Sequence, residues 1–320
     1  MAHNNLQVAV AVILNNKQQV LVSLRPDDVH QGGLWEFPGG KMEVGESVEQ
    51  ALIRELQEEL SISATQIDFL KTIHYEYTDK RVSLHICLVK AFDGEPVGAE
   101  GQAIQWQTIS SLDPVDFPAA NRNIINALKL PDKYMITGAF NSEKDFLEKL
   151  EVSLQQGVSL VQMRCKQLSP EDFSLLAKEA AQLCKKYACQ LLLNTTAENF
   201  SGITQQAIPV AGIHLTSQQL YVHDKRPVDL RYLLSVSCHT LDDVMQAKKI
   251  AADILLISPI QQTTSHPEAI AAGWTFFKQA VSTTEISAYA LGGLDETDIE
   301  QAINMGGQGI AGISCFWGNN

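Results

Sequence analysis

Three carboxylates, Glu55, Glu58 and Glu59, stand at i, i+3 and i+4 in the stretch GGKMEVGESVEQALIRELQEELSI, which runs from Gly39 to Ile62. On an α-helix that spacing puts all three on one face within a turn. Like charges so close repel unless a cation joins them. An oxygen-only donor set suits a hard ion such as Mg²⁺ or Mn²⁺, which completes its shell with water and substrate phosphates. The chemistry implied is metal-assisted cleavage of a phosphate ester or anhydride. A merely solvated acidic face would not account for the Gly39-Gly40 entry or for Arg54 beside Glu55.

The elements that must position these groups can be read around them. Gln7–Leu14 is rich in β-branched residues and bounded by Asn15-Asn16, so it reads as a strand turning back into Val20–Leu24, a hairpin that opens the chain. Ile67–Tyr77 and Val82–Phe92 form a second strand pair, and the glycine-rich loop 94–101 carries Glu100 near its tip. Ala103–Ile109 gives a last strand and Asn121–Leu128 a short helix. Leu130-Pro131-Asp132-Lys133 is a polar seam after which the pattern changes. Eight strand-like segments, beginning at Tyr134, Leu160, Gln190, Gly212, Leu233, Ile254, Ile286 and Gly309, then alternate with mostly helical ones, weakest around Phe200 and Tyr221. That alternation predicts a compact (β/α)8 barrel over residues 132–320, preceded by an α+β domain with a mixed sheet over 1–131.

Composition bounds the function. A length of 320 residues with 45% hydrophobic content fits two globular domains. The absence of an 18-residue apolar run, and an N-terminus, MAHNNLQVAV, without a basic n-region, lead us to expect a cytoplasmic protein with no membrane partner. Cys87, Cys165, Cys184, Cys189, Cys238 and Cys315 form no CxxC pair and read as reduced thiols. The net charge of −13 is shared, with ten basic and seventeen acidic residues up to Leu130 (−7) and fourteen and twenty beyond (−6). Neither half has the basic excess that grips a nucleic-acid polymer, whereas a single nucleotide bound through a metal is compatible.

Read as a pattern, Gly40, five residues, Glu46, seven residues and Arg54-Glu55-Leu56-x-Glu58-Glu59 resembles the signature of the Nudix hydrolases, whose fold is an α/β/α sandwich with a mixed sheet. Ser61 stands where that family usually has glycine, so a changed helix exit is expected, with the carboxylates left in place. The resemblance extends from Leu6 to about Leu130 and is to the MutT type, which hydrolyses the oxidised nucleotide 8-oxo-dGTP to its monophosphate and pyrophosphate and so guards DNA replication. It is carried by Arg25, His30, Glu36-Phe37-Pro38-Gly39-Gly40-Lys41, the PVGxEGQ run around Glu100, and Asp116-Phe117-Pro118-Ala119-Ala120-Asn121. It implies a metal held by the Gly39 carbonyl and by Glu55, Glu58, Glu59 and Glu100, with Glu55 or Glu100 as proton acceptor and Arg54 beside them. Arg25, His30, Glu36, Phe37, Pro38 and Gly39 would line the nucleotide site, and Asn121, able to donate and accept at once, would read the guanine edge. Lys80 stands where the pattern has an arginine near the base.

From Tyr134 to Gly318 the chain resembles thiamine phosphate synthase and its TenI relatives. The resemblance places Gln162, Arg164 and Lys166 toward a pyrimidine pyrophosphate, with Asn194 nearby, and Thr263, Thr264, Gly292, Gly293 and Ser314 around a thiazole phosphate. His239 matches a histidine that moves protons in TenI-type tautomerases. The synthase pattern has aspartate where Thr195 stands and another near Ser217-Gln218-Gln219, and a lysine where His266 stands. Because those aspartates are magnesium ligands in the family, a monophosphate ligand fits the chain better than a magnesium pyrophosphate. Two alternatives follow: a Nudix half that cleaves diphosphates of thiamine precursors, or a barrel that is a non-catalytic thiazole-phosphate sensor or docking module.

Overall fold

The structure, a computed structural model, describes residues 5–28, 31–76, 81–262 and 271–318. The chain divides into two compact units, Met1–Lys129 and Leu130–Asn320. Among the described residues no helix is long and apolar enough to cross a membrane.

In the first unit the elements are β1 (Asn5–Ile13), β2 (Gln19–Leu24), β3 (Trp35–Glu36), β4 (Gly39–Lys41), α1 (Val48–Leu60), β5 (Ser63–Glu76), β6 (Arg81–Asp93), β7 (Ile104–Thr108) and α2 (Arg122–Lys129). The expected opening hairpin does not form. Instead β1 lies inside a mixed sheet of order β4-β1-β6-β5, β2 inside a sheet of order β3-β2-β7, and an isolated bridge from Leu14 to Val20 joins them. The reason lies in the apolar residues of both parities in QVAVAVIL, which suit a strand covered on both faces. Ala9, Ala11 and Ile13 pack with Leu52, Leu56 and Leu60 of α1, while Val10 and Val12 pack with Ile124 and Ile125 on the opposite side. β1 therefore takes β6 as a parallel neighbour, from Asn5↔Arg81 to Ile13↔Val89.

Helix α1 begins at a capping box in which the Ser47 hydroxyl accepts from the Gln50 N–H and the Gln50 side chain accepts from the Ser47 N–H. Alanine at positions 9 and 11 lets the helix lie close to the sheet, leaving its acidic side free for the β4 loop. At the other end the exit that glycine would normally provide is retained, because Ser61 itself adopts the left-handed conformation, at φ 56° and ψ 31°. The cost falls on backbone strain, since an L-residue with a Cβ is disfavoured there.

The second unit comprises β8 (Lys133–Ile136), α3 (Glu143–Gln155), β9 (Leu160–Met163), α4 (Pro170–Lys186), β10 (Gln190–Asn194), α5 (Ala197–Gln205), β11 (Gly212–Leu215), α6 (Ser217–Leu220), β12 (Leu233–Cys238), α7 (Leu241–Lys249), β13 (Ile254–Ile257), α8 (Gly273–Ser282), β14 (Ser287–Leu291), α9 (Ile299–Asn304) and β15 (Gly309–Gly312). Strands β8 to β15 close a parallel barrel in sequence order, β15 pairing with β8. Val161, Met163, Ile213 and Leu215 face the surrounding helices, and Tyr134, Leu160, Leu192, Ile254, Leu256, Tyr289 and Ala311 fill the lumen. Leu130 packs into that lumen cluster, and the Pro131 carbonyl accepts from the Tyr289 hydroxyl.

Relieving the strained exit should be visible. Ser61→Gly is expected to stabilise the first unit by roughly 0.5–1 kcal/mol, the strain released being partly offset by a more flexible unfolded chain. Urea unfolding followed by tryptophan fluorescence checks this, and an unchanged or lower midpoint contradicts it.

Candidate functional site

Two glycines bring the loop against the acidic helix. β4 runs antiparallel to β1, with Gly39 opposite Val10 and Gly40 opposite Ala9. The Glu55 carboxyl group occupies the space a side chain on Gly40 would need, since an added Cβ would lie 2.2 Å from its carboxyl carbon. Gly39, at φ 138°, would drive a Cβ to 2.1 Å from the Ala9 carbonyl oxygen, and its N–H donates to Glu59 Oε2 at 3.2 Å. The Gly-Gly pair is thus the steric condition for both carboxylates.

Arg54 organises the remainder. Its Nε and Nη2 donate to the two oxygens of Glu46 at 2.8 and 3.0 Å, and its Nη1 to Glu55 Oε1 at 2.9 Å and Glu58 Oε2 at 3.2 Å. Nη2 also reaches the Lys41 carbonyl at 3.0 Å, tying helix to loop. The Arg54 guanidinium and the Glu43 N–H together hold Glu46 down at about 2, and Glu46 and Glu55 raise Arg54 in turn. Glu46 is a structural partner that the i, i+3, i+4 rule could not find, because its eight-residue separation from Arg54 crosses the helix start.

Among the described residues Glu59 has no such cation. Burial first, then the nearby Glu36, Glu55 and Glu100 carboxylates, push it up to about 8, against the bond from the Gly39 N–H. Glu100 therefore lies within electrostatic reach of the helix although it comes from the exposed 94–101 loop. Glu36 is raised by burial and pulled back by Arg25, whose Nη1 donates to it. Among the described residues no three His, Cys, Asp or Glu side chains converge as a ready-made metal cage, for Glu55 and Glu58 are turned onto Arg54.

The other residues singled out in this half divide between site and core. The Phe37 ring is buried and stacks on Phe117 with centroids 5.7 Å apart, and the Pro38 carbonyl accepts from the Ala11 N–H at 2.8 Å. Asn121 is 8% exposed and closes a short 3-10 turn through its N–H to the Pro118 carbonyl at 2.8 Å. His30 and Lys80 lie outside the described residues.

In the barrel, Gln162 projects inward from β9 at 1% exposure and its Oε1 accepts from Asn194 Nδ2 at 2.9 Å. Inward residues the sequence reading passed over complete this wall: His214 sits 2.9 Å from both Ser235 Oγ and Ser237 Oγ, and the Tyr134 hydroxyl donates to Ser235 at 3.3 Å. The signal available was a polar residue at the inward parity of an otherwise apolar strand, as in Gly-Ile-His-Leu. Arg164 follows β9 near enough to His214 to disfavour its charged form, and Lys166 is exposed. The His239 Nδ1 donates to the Ser258 carbonyl at 2.8 Å. Gly292 and Gly293 have a packing reason: at Gly293 a Cβ would lie 2.8 Å from Gln261 Cβ, and at Gly292 3.1 Å from Pro259. Ser314 is exposed after β15, and Thr263 and Thr264 lie outside the described residues. Where an aspartate would follow β11, Gln219 instead forms a capping box with Thr216 and reaches the Thr195 carbonyl at 3.5 Å.

An acidic helix seated on a Gly-Gly strand, in series with a closed parallel barrel, defines a Nudix unit joined to a thiamine-synthase-type barrel, and comparison with known families agrees. The thiamine monophosphate synthase profile matches residues 133–316, more than half of the chain, and the NUDIX domain profile matches residues 9–127; together with a 41% identical Nudix-type relative covered almost end to end, this places the chain in both families. Its first unit is 41% identical over 124 residues to the 8-oxo-dGTP diphosphatase of Escherichia coli (strain K12), covering 39% of this chain and 96% of that one. The CTP pyrophosphohydrolase of the same organism is 38% identical over 115 residues, 36% of this chain and 84% of that one. The second unit is 37% identical over 189 residues to the putative thiamine-phosphate synthase 2 of Aquifex aeolicus (strain VF5), covering 59% of this chain and 99% of that one.

Burial, followed by the nearby Arg164 charge, holds His214 down at about 3 from an ordinary value of 6.5. A group whose folded value is depressed contributes fully above its unfolded value and loses that contribution as pH falls. The barrel should therefore lose stability between pH 6.5 and 3, at up to about 1.4 kcal/mol per pH unit from this residue. Calorimetric unfolding of wild type and His214→Gln across that range tests it, and identical pH slopes would refute the assignment.

Proposed function

We propose that the first unit hydrolyses 8-oxo-dGTP to the nucleoside monophosphate and pyrophosphate, using Mg²⁺ or Mn²⁺. The observation that carries this reading is Glu59, a half-buried carboxylate pressed by Glu36, Glu55 and Glu100 and without a cation of its own among the described residues. The Nudix family works with divalent cations, and the donors here fit one: they are all oxygens, and their mutual repulsion is what a hard cation relieves. When bound, the ion would neutralise phosphate charge and favour ionisation of water. Glu55, Glu58, Glu59, Glu100 and the Gly39 carbonyl are its proposed holders, with Glu55 and Glu58 exchanging part of their hold on Arg54. Water oxygen attacks the β-phosphorus, the bond from that phosphorus to the oxygen bridging it to the α-phosphate breaks, and the bridging oxygen leaves with the monophosphate. The proton passes to Glu55 or Glu100. Arg25 and Glu36 lie on the loop side of the site, and Asn121 is assigned the guanine edge, a role supported by the 41% identity to the diphosphatase.

The barrel is proposed to hold a phosphorylated thiamine precursor. The likeness of the second unit to thiamine-phosphate synthases supports this reading, and Gln162, Arg164, Lys166, Asn194, His239, Gly292, Gly293 and Ser314 are the candidate contacts. With Thr195 and the Ser217-Gln218-Gln219 region in place of metal-binding aspartates, binding of a monophosphate is favoured over synthesis from a pyrophosphate.

Replacing Glu55 and Glu59 together by glutamine should reduce nucleotide hydrolysis by more than about a hundredfold. Activity within about tenfold of wild type would sink the metal-site reading. A substrate panel on the full chain with Mg²⁺ separates the alternatives. We expect 8-oxo-dGTP to outrun CTP and thiamine diphosphate, and a preference for thiamine diphosphate would move the first unit into thiamine chemistry. Titration calorimetry of the full chain with thiazole phosphate tests the barrel, absence of binding leaving it a scaffold.

A further inference from the structure

Helix α1 ends without a basic residue in its last turn, so its terminal carbonyls need donors from elsewhere. They come from one loop. The Val97 N–H donates to the Leu60 carbonyl at 3.0 Å and the Ala99 N–H to the Glu59 carbonyl at 2.9 Å. The Glu59 carbonyl accepts a second bond, from Gln102 Nε2, also at 2.9 Å. The other end of the same amide is occupied as well, since Gln102 Oε1 accepts the Glu100 N–H at 2.9 Å. A single side chain thus bridges the backbones of Glu59 and Glu100, the two carboxylates that must face one another from different elements. The turn is tight enough for this because residue 98 is glycine: a Cβ there would lie 1.9 Å from the Gln102 carbonyl oxygen.

We propose that Gln102 is a positioning residue which sets Glu100 against the acidic helix, so that the loop carboxylate joins the metal site without a search. The inference rests on the reading that Glu100 helps to hold the cation. Both ends of the amide are needed, one as acceptor and one as donor. The loop does not depend on Gln102 for its fold, because Val97 and Ala99 anchor it independently and the Gly101 N–H closes its own turn to the Gly98 carbonyl at 3.0 Å. Losing Gln102 therefore loosens the placement of Glu100 and leaves the hydrophobic core untouched.

The test is Mn²⁺ titration of the full-length protein followed by electron paramagnetic resonance, which counts bound ion without requiring turnover. Gln102→Ala and Glu100→Gln are each expected to weaken Mn²⁺ binding by roughly two- to tenfold, the range of a single net hydrogen bond. The double variant is expected to be no weaker than Glu100→Gln alone, because residues acting through one another are not additive. Gln102→Glu, which keeps the acceptor for the Glu100 N–H but sets a second acceptor against the Glu59 carbonyl, should behave like the alanine variant. Thermal unfolding of each variant at wild-type temperature excludes a folding defect. If Glu100→Gln binds Mn²⁺ as wild type does, the reading of Glu100 as a metal holder fails. If Glu100→Gln weakens binding while Gln102→Ala does not, or if the two losses add, the positioning role fails.

Discussion

Crowded negative charge is the constraint on which the first unit is built. Two like charges 4 Å apart in a protein-like medium cost roughly 4 kcal/mol, a large share of what a whole domain has to spare. Arg54 answers most of that demand by spreading its five donors over Glu46, Glu55, Glu58 and the Lys41 carbonyl. A lysine could not do the same, since its compact charge lacks the planar fork that addresses both oxygens of Glu46 at once. Glu59 is left outside this arrangement, half-buried and compensated only in part by the Gly39 N–H.

The barrel solves a different problem with uncharged groups. Gln162, Asn194, His214, Ser235 and Ser237 hydrogen-bond in pairs across adjacent strands, and the histidine among them is kept neutral. Charge sits outside that wall: Arg164 and Lys166 follow β9, and the Arg226–Asp253 ion pair ties the loop before β12 to the start of β13. The pairings also carry the strand register inward, since each links neighbours that the sheet hydrogen bonds already align.

Much of this was legible from residue order because the signals were local. The acidic turn follows from three spacings, and the eight barrel strands from apolar segments recurring between helices. What escaped were relations between distant segments. Glu46 meets Arg54 only once the helix start has folded, and β1 leaves β2 for β6 because the choice is made by burial on two faces, which a hairpin rule does not weigh. Ser61 misled in another way: propensity disfavours a left-handed serine, but the chain has to turn from α1 into β5, and packing of Leu60 and Ile62 overrides the preference. Gln102 closes the PVGxEGQ run, but what it does becomes visible only through the two backbones it touches.

Phe37 and Phe117 bear on a further property of the first unit. Phe37 sits two residues before Gly39, where the metal loop begins, and Phe117 four residues before Asn121, so their stacked rings couple the two ends of the proposed nucleotide site through a stiff aromatic strut. Both rings belong to the buried cluster that also holds Val10, Val12, Ile124 and Ile125, so the loop that carries Gly39 and the turn that carries Asn121 are anchored in one shared core, and a change at either ring would be felt at both.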